Sequence, residues 1–559
     1  MSKDKGNNKN KTVVIGLDGA TFDLIGPWIE EGRLPFIKEL MDTGCSGVLK
    51  STIPPLSPVA WTSFMTGMNP GKHGIFDFVE PVQNRSPEIR FNNRKDCKQK
   101  PIWRYLNDEG YKTVLMNVPM TFPPDVLDGI MISGMDTPNI KSEFTYPPEL
   151  KKELFEKLGD YIIEVKHSPK SCSKTGEYIE SLHGMIRSRL KATQYLLKNV
   201  PWDFFMVVFM AGDRAQHNLW KFMDQHHPLY NKQEADKYHD GILRVYQELD
   251  RAVGDIKKNL DDETNIIIMS DHGADVLYKT ISLNNWLADK GFLVFKRGKR
   301  NPVHYLSDFI GDATAFLQKL KYIVTQKKSE KTNRFFESID WSKTKAFFIG
   351  AWGKIFINLK GREPYGIVEP GDEYERVRNE IIQELMKFKD PVTGKSVVNR
   401  IMKREEIVEG EYFSHAPDMV IMWEKRYNSI IKMEDLRKGV RSYKKGNVFG
   451  LHQRLSGDHT QNGLFIIRSP HIEKNRKNLS AHIMDLCPTI LYMMDTPVPV
   501  SMDGKVLIEI FKKPFLNDRP VRHSGDGEEI EGMTSGESGY SIKESKEVEE
   551  RLRSLGYLE

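Results

Sequence analysis

Three apolar runs in this chain each deliver an aspartate: Val13 to Leu17 leads into Asp18, Phe204 to Met210 into Asp213, and Ile266 to Met269 into Asp271. Short continuous apolar runs read as strands buried on both faces of a parallel sheet, and ligands collect at the carboxyl ends of such strands. Three acids brought there would face one crevice, and a crevice lined by carboxylates draws cations. His217 follows Asp213 by four positions and His272 follows Asp271 directly. A helix begun near Asp213 would set Asp213 and His217 on one face, able to grip a single ion. Neutral imidazole together with carboxylate suits zinc or manganese. Taken singly, each Asp could equally cap a helix and each His fill core or surface space. The three strand-end acids and two histidines taken together are what point to a metal site.

A nucleophile is sought in the stretch from Ser51 through Gly74, S-T-I-P-P-L-S-P-V-A-W-T-S-F-M-T-G-M-N-P-G-K-H-G, where Ser57 and Thr62 compete. Ser57 precedes Pro58, and Ser at an N-cap with Pro at the next position is a helix-start signal. A hydroxyl there sits at the positive end of the helix dipole, beside backbone N–H groups that can hold phosphate oxygens. Thr62 would lie inside that helix, its hydroxyl able to bond back to a carbonyl. Ser57 is therefore the expected nucleophile, with a plain capping serine as the alternative. Lys72 and His73, between Gly71 and Gly74, read as part of a structural turn rather than as pocket residues.

Positioning these groups requires alternating strands and helices. Lys100 to Glu109 reads as a helix stopped by Gly110, with a strand over Lys112 to Val118. Ile242, Tyr246, Leu249, Val253, Ile256 and Leu260 keep a three-or-four spacing that predicts an amphipathic helix feeding the Ile266 strand. This is the grammar of βαβ units. The fold expected is α/β, with a doubly wound, mostly parallel central sheet, helices on both faces and an inserted cap segment. The expected organisation is a tail at 1–11, core at 12–274, cap or lid at 275–340, core again at 341–519, and a linker with a short terminal helix at 520–559. The cap segment is lysine-rich at Lys296 to Arg300 and Gln326 to Lys331, which reads as a solvated insertion before it reads as a polyanion patch. Within the terminal part, Ser524 to Ser538 reads as linker and Ser545 to Leu555 as helix.

The chain has 559 residues, 39% of them hydrophobic, enough to bury a large core. Its net charge of +5, from 82 Lys+Arg against 77 Asp+Glu, is nearly balanced, so specific nucleic-acid binding is not expected. No apolar stretch reaches the length of a membrane span, and Met1 to Lys11 is polar with no signal-peptide core behind it. Cys45, Cys97, Cys172 and Cys487 lack paired-ligand spacing, which fits free thiols and a cytoplasmic location.

V-V-I-G-L-D-G near the N-terminus, P-P-L-S-P-V-A-W-T-S-F-M-T-G with its G-K-H-G-I-F-D-F continuation, D-R-A-Q-H, S-D-H-G and G-D-H-T-Q-N-G together resemble the alkaline phosphatase superfamily. The likeness is to its type I phosphodiesterase/nucleotide pyrophosphatase branch and runs from about Val13 to Leu507. The resemblance implies a metal-dependent hydrolase of small-molecule phosphoesters, diesters or nucleotide pyrophosphates, acting through a phosphoseryl intermediate on Ser57. It implies two divalent ions, zinc ahead of manganese. Asp18, Asp271, His272 and the Ser57 oxygen would hold one, and Asp213, His217 and His459 the other. His459 rests on the resemblance alone. Two departures stand out: the branch usually has Thr where Ser57 stands, and Phe78 occupies the position of an Asn that helps hold a phosphate oxygen. The alternatives are a phosphomutase related to cofactor-independent phosphoglycerate mutase, or a non-catalytic binding protein on the same fold. A sulfatase would need a C/S-x-P-x-R context, whereas Ser57 is followed by P-V-A-W.

Overall fold

The computed structural model describes residues 11–81, 89–165, 174–296, 338–429, 445–452, 455–525 and 540–555. Its central sheet is built from β1 (Thr12–Leu17), β2 (Cys45–Lys50), β3 (Thr113–Val118), β4 (Gly129–Ser133), β5 (Thr145–Tyr146), β6 (Phe204–Phe209) and β7 (Asn265–Met269). After β8 (Gly273–Ile281) and β9 (Gly457–Thr460), which pair outside it, β10 (Asn462–Arg468) and β11 (Arg476–His482) complete it. The order across the sheet is β11-β2-β10-β7-β1-β6-β3-β4-β5. Only β10 and β5 run against the rest, so the sheet is mostly parallel, and helices flank it. Every residue of β1, β3, β6 and β7 is buried, the reason these strands read as unbroken apolar runs.

The chain leaves β1 for the β2 side of the sheet and then crosses to the β3 side. Such a reversal opens a crevice at the carboxyl end of the strand where it occurs. β7, β1 and β6 are neighbours there, in register from Thr12 opposite both Phe204 and Asn265. Their three carboxyl ends therefore lie side by side.

Helix α1 (Ser57–Thr66) is buried along its whole length. Helix α2 (Ala211–Met223) follows β6, and α3 (Gly241–Lys257) buries Ile242, Tyr246, Leu249, Val253 and Ile256, the face its spacing predicts. Leu260 falls just past its end. A smaller antiparallel sheet, in the order Ala346–Phe348, Lys354–Ile357, Met419–Trp423, Val398–Lys403, lies in the second half of the chain. Residues 275–289, expected to open the cap, instead continue β8 and form the helix Leu283–Asp289, because β8 is pinned by ladders to β9, to Arg426–Asn428 and to Phe449–Gly450. Residues 297–337, with most of the two basic runs, lie outside the described residues, as do the tail at 1–10, Cys172 and most of the 524–538 linker. The terminal helix α4 spans Ile542–Leu555. Among the described residues no helix is long and apolar enough to cross a membrane.

Candidate active site

Asp18 is the first residue after β1, Asp271 lies two past β7, and Asp213 sits in the first turn of α2 just after β6. Three adjacent strand ends thus bring three carboxylates together, all at most 1% exposed. Gly19 takes φ +72, and its N–H donates to Asp271 Oδ1 at 3.4 Å, tying two of the strand ends directly. A left-handed turn of this kind suits glycine. Trp61 on α1 donates its Nε1–H to Asp18 Oδ2 at 2.9 Å, fixing that carboxylate's orientation.

The sequence gives no local reason for His459 to join them, yet the backbone does. β9 pairs antiparallel with β8, which places His459 opposite Ala274 and so beside His272. The two imidazoles stack with centroids 3.6 Å apart. Asp213 and His217 share a face of α2, as their spacing predicts, with His217 Nε2 3.2 Å from Asp213 Oδ1. All seven residues singled out from the sequence, Asp18, Ser57, Asp213, His217, Asp271, His272 and His459, are brought into one buried neighbourhood.

The hydrogen bonds of the three imidazoles settle their tautomers. His217 Nδ1 meets Gly457 O at 2.8 Å, His272 Nδ1 meets Gly273 O at 2.9 Å, and His459 Nδ1 meets Pro55 O at 2.9 Å. A carbonyl only accepts, so each Nδ1 carries the proton and each neutral ring turns an Nε2 lone pair inward. His272 Nε2 lies 3.2 Å from Ser57 Oγ, 3.3 Å from Asp271 Oδ2 and 3.6 Å from Asp18 Oδ1. His217 Nε2 and His459 Nε2 face each other at 3.0 Å, and His459 Nε2 is 3.4 Å from Asp213 Oδ1. Two lone pairs opposed at that distance repel unless a metal ion, or a proton on His217, lies between them. The inner carboxylate oxygens Asp18 Oδ1 and Asp271 Oδ2 accept no hydrogen bond although both are buried. Donor type, tautomer and uncompensated charge therefore fit divalent cations held in two adjoining groups. Asp18, Asp271 and His272 form one; around the other, Asp213 and His459 group with His272, and His217 and His459 with Asp458, while His217 Nε2 also lies 3.2 Å from Asp213 Oδ1.

Electrostatics tell the same story. Burial, then the charges of Asp271 and Asp213, drives the Asp18 carboxyl well above its usual range. Burial and the Asp213 charge push Asp271 up to about 8. Burial lowers His272 to about 4, and burial with the neighbouring His272 lowers His459 to about 4. For His217, burial is outweighed by the Asp213 charge, which raises it. Asp213 runs the other way: burial opposes ionisation, but His217, His459 and Arg214 hold its carboxyl well below the usual range, so it is Asp18 and Asp271 that resist ionisation without a further counter-charge. Cations reverse that.

Ser57 does not cap its helix, as the S-P pair suggested, but is the first residue of α1. Leu56 is the N-cap, its carbonyl taking the first helical bond from Ala60 N–H at 2.8 Å. The Ser57 hydroxyl is thereby left for His272. Thr62 Oγ1 donates to Pro58 O at 2.6 Å and is committed there. His73 bonds Ser63 and the Ile75 N–H, while Lys72 bonds Ser501 O and pairs with Asp503, so both belong to the turn. Phe78 is a buried core aromatic.

Four partners of the site escaped the sequence reading. Trp61 lies four positions after Ser57, on the same face of α1, a spacing that could have flagged it. Arg214, 1% exposed, donates to Asp213 Oδ2 at 2.7 Å and to Glu164 Oε2 at 3.1 Å. Asp458 groups with His217 and His459 as a possible further ligand. Glu164 carried no signal, since it reaches the site from a segment with no strand or helix of its own.

Residues 12–452 match the profile of the family described as type I phosphodiesterase / nucleotide pyrophosphatase. Among solved structures, phosphonoacetate hydrolase from Sinorhizobium meliloti 1021, in complex with phosphonoformate, aligns with TM-score 0.51 at 13% identity, over 87% of this chain and 96% of that one. Human ectonucleotide pyrophosphatase / phosphodiesterase 5 aligns with TM-score 0.47 at 13% identity, over 91% of this chain and 99% of that one. Likeness at such identity speaks to fold alone. No curated protein matches the sequence.

Proposed function

Because the chain belongs to the type I phosphodiesterase/nucleotide pyrophosphatase family and is a hydrolase of phosphoester bonds, we propose that it cleaves small-molecule phosphodiesters or nucleotide pyrophosphates through a covalent phosphoseryl intermediate on Ser57. One observation supports this reading: three Nε2 atoms and three carboxylates gather in one buried cluster, with His272 Nε2 3.2 Å from the Ser57 hydroxyl and the Nδ1 of each of the three imidazoles bonded to a backbone carbonyl. Asp18, Asp271 and His272 would hold one divalent ion together with Ser57 Oγ, and Asp213, His217 and His459, whose facing atoms lie 3.0–3.4 Å apart, a second, zinc in preference to manganese. When bound, the ions supply charge that favours the serine alkoxide and offsets the negative charge on phosphate oxygens.

The chain's own groups do the rest. Ser57, at the first turn of α1, presents its oxygen toward phosphorus while backbone N–H groups of that turn offer bonds to phosphate oxygens. With His272 Nε2, 3.2 Å away, committed as a ligand, the serine proton passes to solvent; Ser57 Oγ then attacks phosphorus in line and the ester oxygen opposite it leaves. Trp61 and Arg214 hold Asp18 and Asp213 in place. Water then attacks phosphorus and the serine oxygen leaves. The buried thiols Cys45, Cys97 and Cys487 support a reducing, cytoplasmic setting.

The test is a panel of phosphomonoesters, phosphodiesters and sulfate esters assayed with added zinc or manganese, followed by acid quench and mapping of phosphorylated residues. Diester cleavage with phosphate on Ser57 is the expected result. Transfer of phosphate between positions of a sugar phosphate without release would favour the mutase instead.

A further inference from the structure

The loop that enters the strand Lys354–Ile357 is conformationally unusual. Gly350, Trp352 and Gly353 all take left-handed backbone angles, φ +78, +63 and +59. For a bulky residue such as Trp352 that conformation is an outlier, and outliers of this kind persist only where their surroundings enforce them. Here they do. Trp352 N–H donates to Ser429 O at 2.9 Å and Gly353 N–H to Ser429 Oγ at 2.8 Å, while a side chain at Gly353 would run into Ile421. Below the loop, Lys354 makes a buried ion pair with Asp77, anchoring the loop to the segment that follows α1.

So held, the Trp352 indole lies over the site. Its ring is 6.4 Å from that of His459, centroid to centroid, with the planes inclined by 28°, and it packs with Leu56 and Val59, on either side of Ser57 in sequence. An in-line displacement sends the leaving oxygen away from the attacking one. Ser57 sits against His272, so the departing group exits on the side of Asp213, His217 and His459, where the indole stands.

We propose that Trp352 is a specificity-determining residue that closes the leaving-group side of the site and sets an upper limit on the bulk of the ester group released. This rests on the hydrolase reading above. Because the loop is pinned at three places, the indole is a fixed wall, and a fixed wall discriminates by size.

The test uses two methyl phosphodiesters differing only in leaving group, p-nitrophenol against the bulkier nitro-naphthol, with the full-length metal-loaded enzyme. Trp352→Ala is expected to raise kcat/KM for the naphthyl ester relative to the phenyl ester by about tenfold or more, the scale of pocket-size discrimination. Trp352→Phe should leave that ratio within about threefold of wild type. Trp352→Leu gives the same reading if the alanine variant is poorly folded. An equal loss on both esters would mean a purely structural role, and a selective loss on the naphthyl ester would mean a stacking platform; either overturns the proposal. If wild type cleaves neither ester, the hydrolase reading fails separately. The size ratio is then read from the Kd values of phenyl and naphthyl phosphonate monoesters, which require no turnover, and an unchanged ratio in Trp352→Ala sinks the proposal there too.

Discussion

Thr62 Oγ1 is committed to the Pro58 carbonyl, whereas Ser57 Oγ meets only side chains of the site. Ser57→Ala is therefore expected to cost at least about a hundredfold in kcat, and Thr62→Ala no more than a few-fold. Steady-state assays of the two variants check this, and the reverse pattern would reassign the nucleophile. Titration gives a second expectation at this scale. Asp271 rises to about 8 from an ordinary 3.8 and His217 rises above 6.5, so the protonated forms favour the fold and that stability is lost as pH climbs through their folded values. His272 and His459, lowered to about 4, act oppositely but only below 6.5. Chelator-treated protein should thus lose thermal stability between pH 6.5 and 8, and added zinc should abolish the slope. A metal-free Tm that rises over that interval would contradict it. The three acids, His217 and His272 were legible because each lies beside its strand end or one helical turn from it. His459 was not, since only the β8–β9 ladder brings it to His272.

At the scale of elements, β9 must lie close against α2 for His459 and His217 to meet. Gly457 makes that possible: a Cβ there would fall 2.5 Å from the backbone carbonyl oxygen of Gln216 and 2.9 Å from the Trp220 ring. Gly457→Ala should push β9 off α2, disturb the Gly457 carbonyl that fixes His217, and weaken metal binding by about tenfold or more. Circular dichroism should be unchanged, and zinc titration provides the readout; undiminished affinity would show that the site does not depend on this approach. The helix α3 and strands β3 and β7 could be read from periodicity and apolar runs, because burial on one face or on both imposes those patterns. β8 could not. Its exposure alternates irregularly and its partners lie far along the chain, so what looked like the start of an insertion is paired structure.

For the whole molecule, the terminal helix α4 returns to the first half of the chain. Arg551 donates to the Met135, Thr137 and Pro138 carbonyls, Tyr540 stacks on Phe122 and donates to Asp136 O, and Val548, Leu552 and Leu555 are buried. Met135 in turn touches Arg214, which holds Asp213. Arg551→Ala leaves those carbonyls short of a donor and should cost about 1–3 kcal/mol, seen as a shift in the denaturant midpoint; no shift would mean that α4 is an independent appendage. The sequence marked this helix from composition, but nothing in a single chain could say where it docks. The claim on which all else depends is that remote segments gather to hold a pair of divalent ions, and metal analysis by mass spectrometry tests it most directly. About two zinc or manganese ions per chain are expected in wild type, falling to about one in His272→Ala and in His217→Ala. A wild-type protein that binds none, or variants that keep both, would contradict it.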